Sequence, residues 1–348
     1  MREVNTVPKS VSSQVPIRAA SVGLGWWSDE LAKSLEPRSS KIEIVACASR
    51  SSGKRDAFQK RFGARPYETY EAVLADPAID AVILTTPHSL HGEHVRMAAQ
   101  AGKHVFVEKP FTLSSEDGRK AAEACRVAGV ALAVGHNRRF SAGAEWLKGL
   151  VASGAFGTVL HVESNFSSPG ALSYTPDRWR ASRTESPGGG IAGLGIHMID
   201  LMCAMFGPVE RVNAQATRRA VSVDMDDTTS AILRFASGPT GYLGTFFACP
   251  YTTSVTIYGT NANASIDLDA DRGWLMPAGG KAVESMSFDR IDTLRVELEE
   301  FADQCQGRAA FRVDPEEAIH NVEIMEAIVA SAAAEGQPVD PRSFGGRS

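Results

Sequence analysis

From Ile17 to about Asn137, short apolar runs alternate with longer segments of helical period. The runs IRAASVG, IEIVACAS, AVILTT, KHVFVE and ALAVG are brief, rich in Val, Ile and Ala, and bounded by turn residues, which predicts buried strands. Strand and helix in regular alternation predict an α/β fold, a doubly wound parallel sheet with helices on both faces. One intervening helix is legible at both ends: Ser114 is placed to cap SEDGRKAAEACRVAG, and Gly129 to end it.

After Asn137 the pattern changes. A helix over 142–153 precedes longer runs with a period of two, GTVLHVESNF, TTSAILRFA, GYLGTFFA and SVTIYGT, which predict a large, mostly antiparallel open sheet with one covered face. A glycine-rich segment leads into the apolar helix GIHMIDLMCAMF, and the last helix, PEEAIHNVEIMEAIVASAAAEG, starts with Pro and stops at Gly336. The organisation expected is a flexible tail over 1–16, a nucleotide-type domain over 17–137, a substrate-binding and oligomerisation α+β domain over 138–339, and a tail over 340–348. An open sheet exposes one face unless another subunit covers it, so a homodimer or homotetramer through that sheet is expected.

With 348 residues, 43% of them hydrophobic, there is enough chain for two ordinary cores. A formal charge of −5 argues against the electrostatic hold on nucleic acid or an anionic membrane that a concentrated basic face gives, so neither is expected as partner, and a small-molecule substrate is. Cys47, Cys125, Cys203, Cys249 and Cys305 are scattered without a CxxC pair, which suits a reducing cytoplasm. The first sixteen residues lack the apolar core of a secretory signal.

Candidate chemistry begins at Ser21–Ser28, SVGLGWWS. Gly23 and Gly25 after a strand permit a tight turn and close approach of backbone to a pyrophosphate, and the next helix offers unpaired amides and a positive dipole end. Ser28 stands where a third glycine is usual; it is small enough for close helix packing. At the end of the second strand, where an acid grips the ribose of NAD, this chain has Ser49-Arg50-Ser51. A guanidinium and small hydroxyls suit a 2′-phosphate, so NADP is the preferred cofactor, with NAD as the other choice. Leu24 and Trp26 lie on the same turn; Trp26 is placed near the phosphates and Trp27 in the core.

The stretch TTPHSLHGEHVRMAAQAGKHVFVEKP resembles the Gfo/Idh/MocA family of NAD(P)-dependent oxidoreductases, through Thr86, Pro87, His91, Gly102, Lys103, His104, Val105, Glu108, Lys109 and Pro110. GHNRRF at 135–140 and GIHMID at 195–200 continue the resemblance, which spans 17 to about 339. It implies a Rossmann domain that holds the cofactor through Gly23, Leu24, Gly25, Trp26, Ser49, Arg50, Thr85, Thr86, Pro87, His88, His91, Glu108, Lys109 and Asn137. It also implies that Lys109 and His197 are the catalytic pair. An ammonium near a carbinol oxygen exchanges a proton with it, and an imidazole that titrates near neutrality takes one. Many active relatives carry an aspartate one helical turn before the histidine; here that residue is Gly193. Arg138, Trp179, Arg180, Arg183 and Asp200 complete the expected substrate site, with Lys109 and His197. His88, His91 and His94 at spacings of three supply too few ligands for zinc, and no metal is expected. The function implied is hydride transfer to or from a sugar, polyol, inositol or sugar acid. The alternatives are a dihydrodiol dehydrogenase, a cofactor-retaining isomerase or lyase, and a non-catalytic regulatory module.

Overall fold

The computed structural model describes residues 15–279 and 282–345. Most of the expected N-terminal tail, and residues 346–348 of the C-terminal one, lie outside the described residues. Six strands form the first sheet: β1 (Ile17–Val22), β2 (Ile42–Ala48), β3 (Arg65–Tyr67), β4 (Ala81–Leu84), β5 (His104–Glu108) and β6 (Leu132–Gly135). Their order is β3-β2-β1-β4-β5-β6 and every pairing is parallel. The four residues of β4 are completely buried, as expected of a strand covered on both faces. The covering helices are α1 (Trp26–Ser34), α2 (Ser52–Phe62), α3 (Tyr70–Leu74), α4 (His91–Gln100) and α5 (Ser115–Ala128). Ser114 Oγ accepts the Asp117 amide and Gly129 takes a left-handed φ of 66°, so α5 has the ends its sequence predicts.

The second sheet has eight strands: β7 (Val159–Ser167), β8 (Val209–Thr217), β9 (Thr228–Phe235), β10 (Thr240–Phe246), β11 (Thr252–Gly259), β12 (Ala262–Asp267), β13 (Arg272–Pro277) and β14 (Glu284–Ser287). Their order is β14-β13-β12-β11-β7-β10-β9-β8; all neighbours are antiparallel except β7 and β10. In β9, Thr229, Ala231, Leu233 and Phe235 are buried while Ile232 and Arg234 face outward, so alternation sets the covered face. The remaining helices are α6 (Ala142–Ala152), α7 (Ile196–Phe206), α8 (Thr293–Cys305) and α9 (Pro315–Ala333).

Two helices tie the sheets together. α9 lies along β8 and also meets α5 and β6, and α8 returns to pack on α1, β2 and β5 although it follows the whole second sheet in sequence. One continuous hydrophobic core therefore runs from Ile17 to Ile328. Pro341–Phe344 form a 3₁₀ turn whose Phe344 carbonyl accepts from Arg119 Nη1 at 3.2 Å, so the start of the predicted C-terminal tail is bound to α5.

Candidate active site

In a doubly wound sheet the crevice opens beyond the carboxyl ends of the strands, where the strand order reverses. Here that point lies between β1 and β4. Around it opens a cavity of about 350 Å³, walled on one side by Trp26, Trp27, Thr85, Thr86, His88, His91, Glu108 and Lys109. The other wall is Phe166, Ser168, Tyr174, Arg178, Arg180, Gly193, Leu194, His197, Phe247 and Tyr251. Asn137 and Arg138 join the two walls.

The turn after β1 is shaped for backbone approach. Gly23 has φ +93°, and a Cβ there would stand 2.8 Å from the Thr85 carbonyl carbon, so a side chain is excluded on both counts. Thr85 Oγ1 donates to the Gly23 carbonyl at 2.6 Å and fixes the two strand ends together. Gly25, exposed and with open space around it, precedes α1 and gives its first amides no side-chain cap. Ser28 Oγ instead accepts the Gly25 amide at 3.0 Å and donates to the Gly25 carbonyl at 2.7 Å, locking the turn. An uncapped helix N-terminus behind a glycine turn fits the pyrophosphate of a dinucleotide. Leu24 is buried against Cys47 and Phe58 and serves packing. Trp26, 61% exposed, stands at the cavity mouth. Trp27, expected in the core, also lines the cavity; its buried Nε1 lacks a partner and lies beside Glu108, whose Oε1 is equally unpaired.

At the end of β2, Arg50 is exposed and Ser51 caps α2, while Ser49 contributes its carbonyl to Arg55 Nη1 at 2.6 Å. None of the three lines the cavity.

Lys109, at the end of β5, donates from Nζ to the Gly193 carbonyl at 2.5 Å. That carbonyl belongs to a turn of π-helix, Ile191–Gly195, that leads into α7; such turns recur at functional sites. Thus the main chain of Gly193 receives the lysine where a carboxylate was to be expected. Burial pulls the Lys109 ammonium down to about 8; Glu108 opposes the shift, and Arg180 and Arg138 add to it. Burial raises Glu108 above the ordinary carboxylate range, against the pull of Lys109.

His197, in the first turn of α7, is 5% exposed and its Nδ1 has no partner. Burial, then Lys109, His136 and Arg138, hold it well below the usual imidazole range. This corrects the expectation of a group titrating near neutrality: the ring stays neutral. The loop histidines are held by backbone. His91 Nδ1 meets the Pro110 carbonyl at 2.9 Å and its Nε2 the Thr86 carbonyl at 3.0 Å; His88 Nδ1 meets the Glu185 carbonyl at 2.7 Å. Pro87 starts the 3₁₀ turn His88–Leu90, which carries His88, and His91 opens α4 directly after it. Asn137 Nδ2 donates to Thr293 Oγ1 at 3.3 Å, which links the cavity floor to α8.

The expected substrate residues divide. Arg138 and Arg180 line the cavity. Trp179 stands behind it, edge-on to His88 at 4.8 Å and under the Arg180 guanidinium at 4.4 Å. Arg183 does not reach the cavity, because its guanidinium is bound to Asp226 at 2.5 Å and Asp224 at 3.2 Å. Asp200 does not face it either: fully buried, it accepts both Arg139 Nε at 2.6 Å and Nη2 at 2.7 Å, and Asn321 Nδ2 at 2.8 Å. Phe166, Tyr174, Phe247 and Tyr251 were missed, because aromatics on strands and loops read as core or surface until the fold gathers them.

Among known proteins, residues 17–136 match the oxidoreductase family with an NAD-binding Rossmann fold, and residues 145–265 match the GFO/IDH/MocA C-terminal domain. D-xylose 1-dehydrogenase (NADP(+)) 2 of Haloferax volcanii is 32% identical over 303 residues, covering 85% of this chain and 91% of that protein. A crystal structure of an oxidoreductase from Desulfitobacterium hafniense superposes with a TM-score of 0.88 at 29% identity, over 94% of this chain and 99% of that one. GenD2 from gentamicin A biosynthesis, in complex with NAD, superposes at 0.83 with 26% identity, over 96% and 99% of the two chains. With the glycine turn, the lysine at the end of β5 and the histidine of α7 gathered at one crevice, this chain belongs to the Gfo/Idh/MocA family of NAD(P)-dependent oxidoreductases.

Proposed function

We propose that this oxidoreductase moves a hydride between NADP(H), in preference to NAD(H), and the carbinol or carbonyl carbon of a small polyhydroxylated substrate: a sugar, polyol, inositol or sugar acid. The observation that carries this reading is that Lys109, from the parallel sheet, and His197, from the helix under the second sheet, line one cavity. The bound nicotinamide supplies the hydride acceptor or donor. In oxidation the neutral Lys109 amine takes the hydroxyl proton as the carbon–hydrogen bond breaks; in reduction its ammonium returns that proton to the carbonyl oxygen. His197, kept neutral by burial, positions the same oxygen through a ring nitrogen. The named relative from Haloferax uses NADP(+) and D-xylose, which supports both the cofactor and the polyhydroxylated class. Arg50 with Ser49 and Ser51 supports a 2′-phosphate contact.

The test is a panel of sugars, inositols, sugar acids and dihydrodiols with both nicotinamides, followed at the absorbance of the reduced ring. Stoichiometric NADPH formation on at least one polyhydroxylated substrate supports the reading. Turnover without net change in nicotinamide contradicts net redox. The part over 17–137 binds the cofactor and the part over 138–339 the substrate and a second subunit, in a homodimer or homotetramer. The outward face of the second sheet carries Ile232, 49% exposed, beside Tyr242 and Phe246 of the adjacent β10, an apolar patch that a second copy would cover. No helix among the described residues is long and apolar enough to cross a membrane, and the five free cysteines suit the cytoplasm.

A further inference from the structure

The charges around Lys109 do not balance. Four cations line the cavity, Lys109, Arg138, Arg178 and Arg180, against a single carboxylate, Glu108. Arg138 is answered at the rim by Asp269 at 2.8 Å. The other three make no ion pair among the described residues: Lys109 has only the Gly193 carbonyl, Arg180 lies on the Trp179 ring at 4.4 Å, and Arg178 on the Tyr174 ring at 4.7 Å. Glu108 favours the charge on Lys109 while Arg180 and Arg138 oppose it, Glu108 and Glu185 favour that on Arg180, and Lys109 and Arg138 disfavour charge on His197, so one cavity carboxylate is shared among several cations. Elsewhere in the fold buried arginine is paired, as Arg139 is with Asp200 and Glu317. Space is left on the same side: a Cβ at Gly193 would meet nothing within 4 Å. Unpaired cations in a partly dehydrated cleft bind an anion strongly, and a guanidinium matches a carboxylate geometrically.

We infer that the substrate is an acid, a hydroxylated carboxylate whose anionic group lies in the gap beside Gly193 and is held by Arg180 and Arg178, with Lys109 between it and the reacting carbinol. This rests on the hydride-transfer reading and narrows it. The carboxylate stays unchanged through the reaction: the alcohol loses a hydride to the cofactor and a proton to Lys109. The substrate's own charge then stabilises the ammonium formed, as a carboxylate at position 193 would.

Matched substrates test it. With NADP(+), a uronic acid is expected to exceed its parent aldose and its uronamide in kcat/KM by at least about tenfold, because the neutral analogues leave the arginines unpaired. Equal efficiency of acid and amide overturns the inference. Gly193→Asp places a fixed carboxylate in the gap and is expected to bring the acid-to-amide ratio to about one, whereas Gly193→Asn, similar in size but neutral, keeps the preference for acid. An unchanged ratio in a folded Gly193→Asp protein counts against it. Arg180→Gln is expected to lower acid efficiency at least about tenfold with NADPH affinity changed less than about threefold. A large loss of NADPH affinity with the acid preference intact would assign this arginine to a cofactor phosphate and overturn the inference. Titration of the uronic acid and uronamide into the protein–NADPH complex, followed by tryptophan fluorescence, separates failures. Selective binding of the acid without turnover upholds the acid subsite and rejects the proposed reaction; turnover of neutral sugars without acid selectivity does the reverse.

Discussion

Asp200 and His197 are three residues apart on α7, both are buried, and their surroundings are opposite. Asp200 receives two bonds from Arg139 and one from Asn321, and Arg139 Nη1 reaches on to Glu317 at 2.6 Å. His197 faces a cavity with a free Nδ1, and its charged neighbours are cations. A buried charge whose valences are filled holds the fold together; a buried polar group left open is kept for a ligand. The same contrast separates Arg139, ion-paired with Asp200 and Glu317, from Arg180, stacked on the Trp179 ring with no ion pair among the described residues. Sequence spacing alone cannot tell such residues apart, because both lie on the buried side of a helix or loop.

Four substitutions sharpen this division. The largest effect belongs to Asp200→Ala, which leaves Arg139 buried with one acid fewer; a loss of about 3–5 kcal/mol in unfolding free energy is expected, measured by denaturant titration. A loss below about 1 kcal/mol would place Asp200 outside the structural network. Next, Lys109→Met retains the apolar stem and removes the charge; turnover is expected to fall about 100-fold or more, with NADPH affinity within about tenfold. His197→Ala is expected to lower turnover similarly and to raise KM as well, since the ring positions the substrate oxygen. Unaltered turnover in both proteins would move the chemistry to another group. Arg50→Ala is expected to weaken NADPH by about 1–3 kcal/mol and leave NADH unaffected, read by paired fluorescence titrations. Equal losses for both nicotinamides would remove the 2′-phosphate contact.

The parallel sheet was the most legible part of the chain. Strands such as Ala81–Leu84 are buried on both faces and read as unbroken apolar runs, and the glycine turn and the residues around Glu108-Lys109 follow them at fixed positions. β3 escaped notice because it is three residues long and begins Arg-Pro. β13 and β14 escaped because they are short or half exposed and carry little apolar contrast. In the site, Lys109, His197, Arg138 and Arg180 were readable as chemistry-bearing types at informative places. Gly193 was read as a missing side chain, whereas its structural contribution is a carbonyl, which no residue type announces. Asp200 and Arg183 were misassigned because their partners, Arg139 and Asn321 for one and Asp224 and Asp226 for the other, are brought in by tertiary packing.

The central claim is that Lys109 carries the proton while His197 stays neutral. The pH dependence of kcat for oxidation measures it most directly. Burial lowers Lys109 to about 8, so the amine form needed as base is scarce below that pH and prevails above it. Oxidation should therefore accelerate as pH rises through about 8 and then level, and reduction, which needs the ammonium, should slow over the same range. The limb should persist in His197→Ala and vanish from the residual activity of Lys109→Met. A limb near the ordinary imidazole range that disappears with His197 and survives the loss of Lys109 would contradict the account.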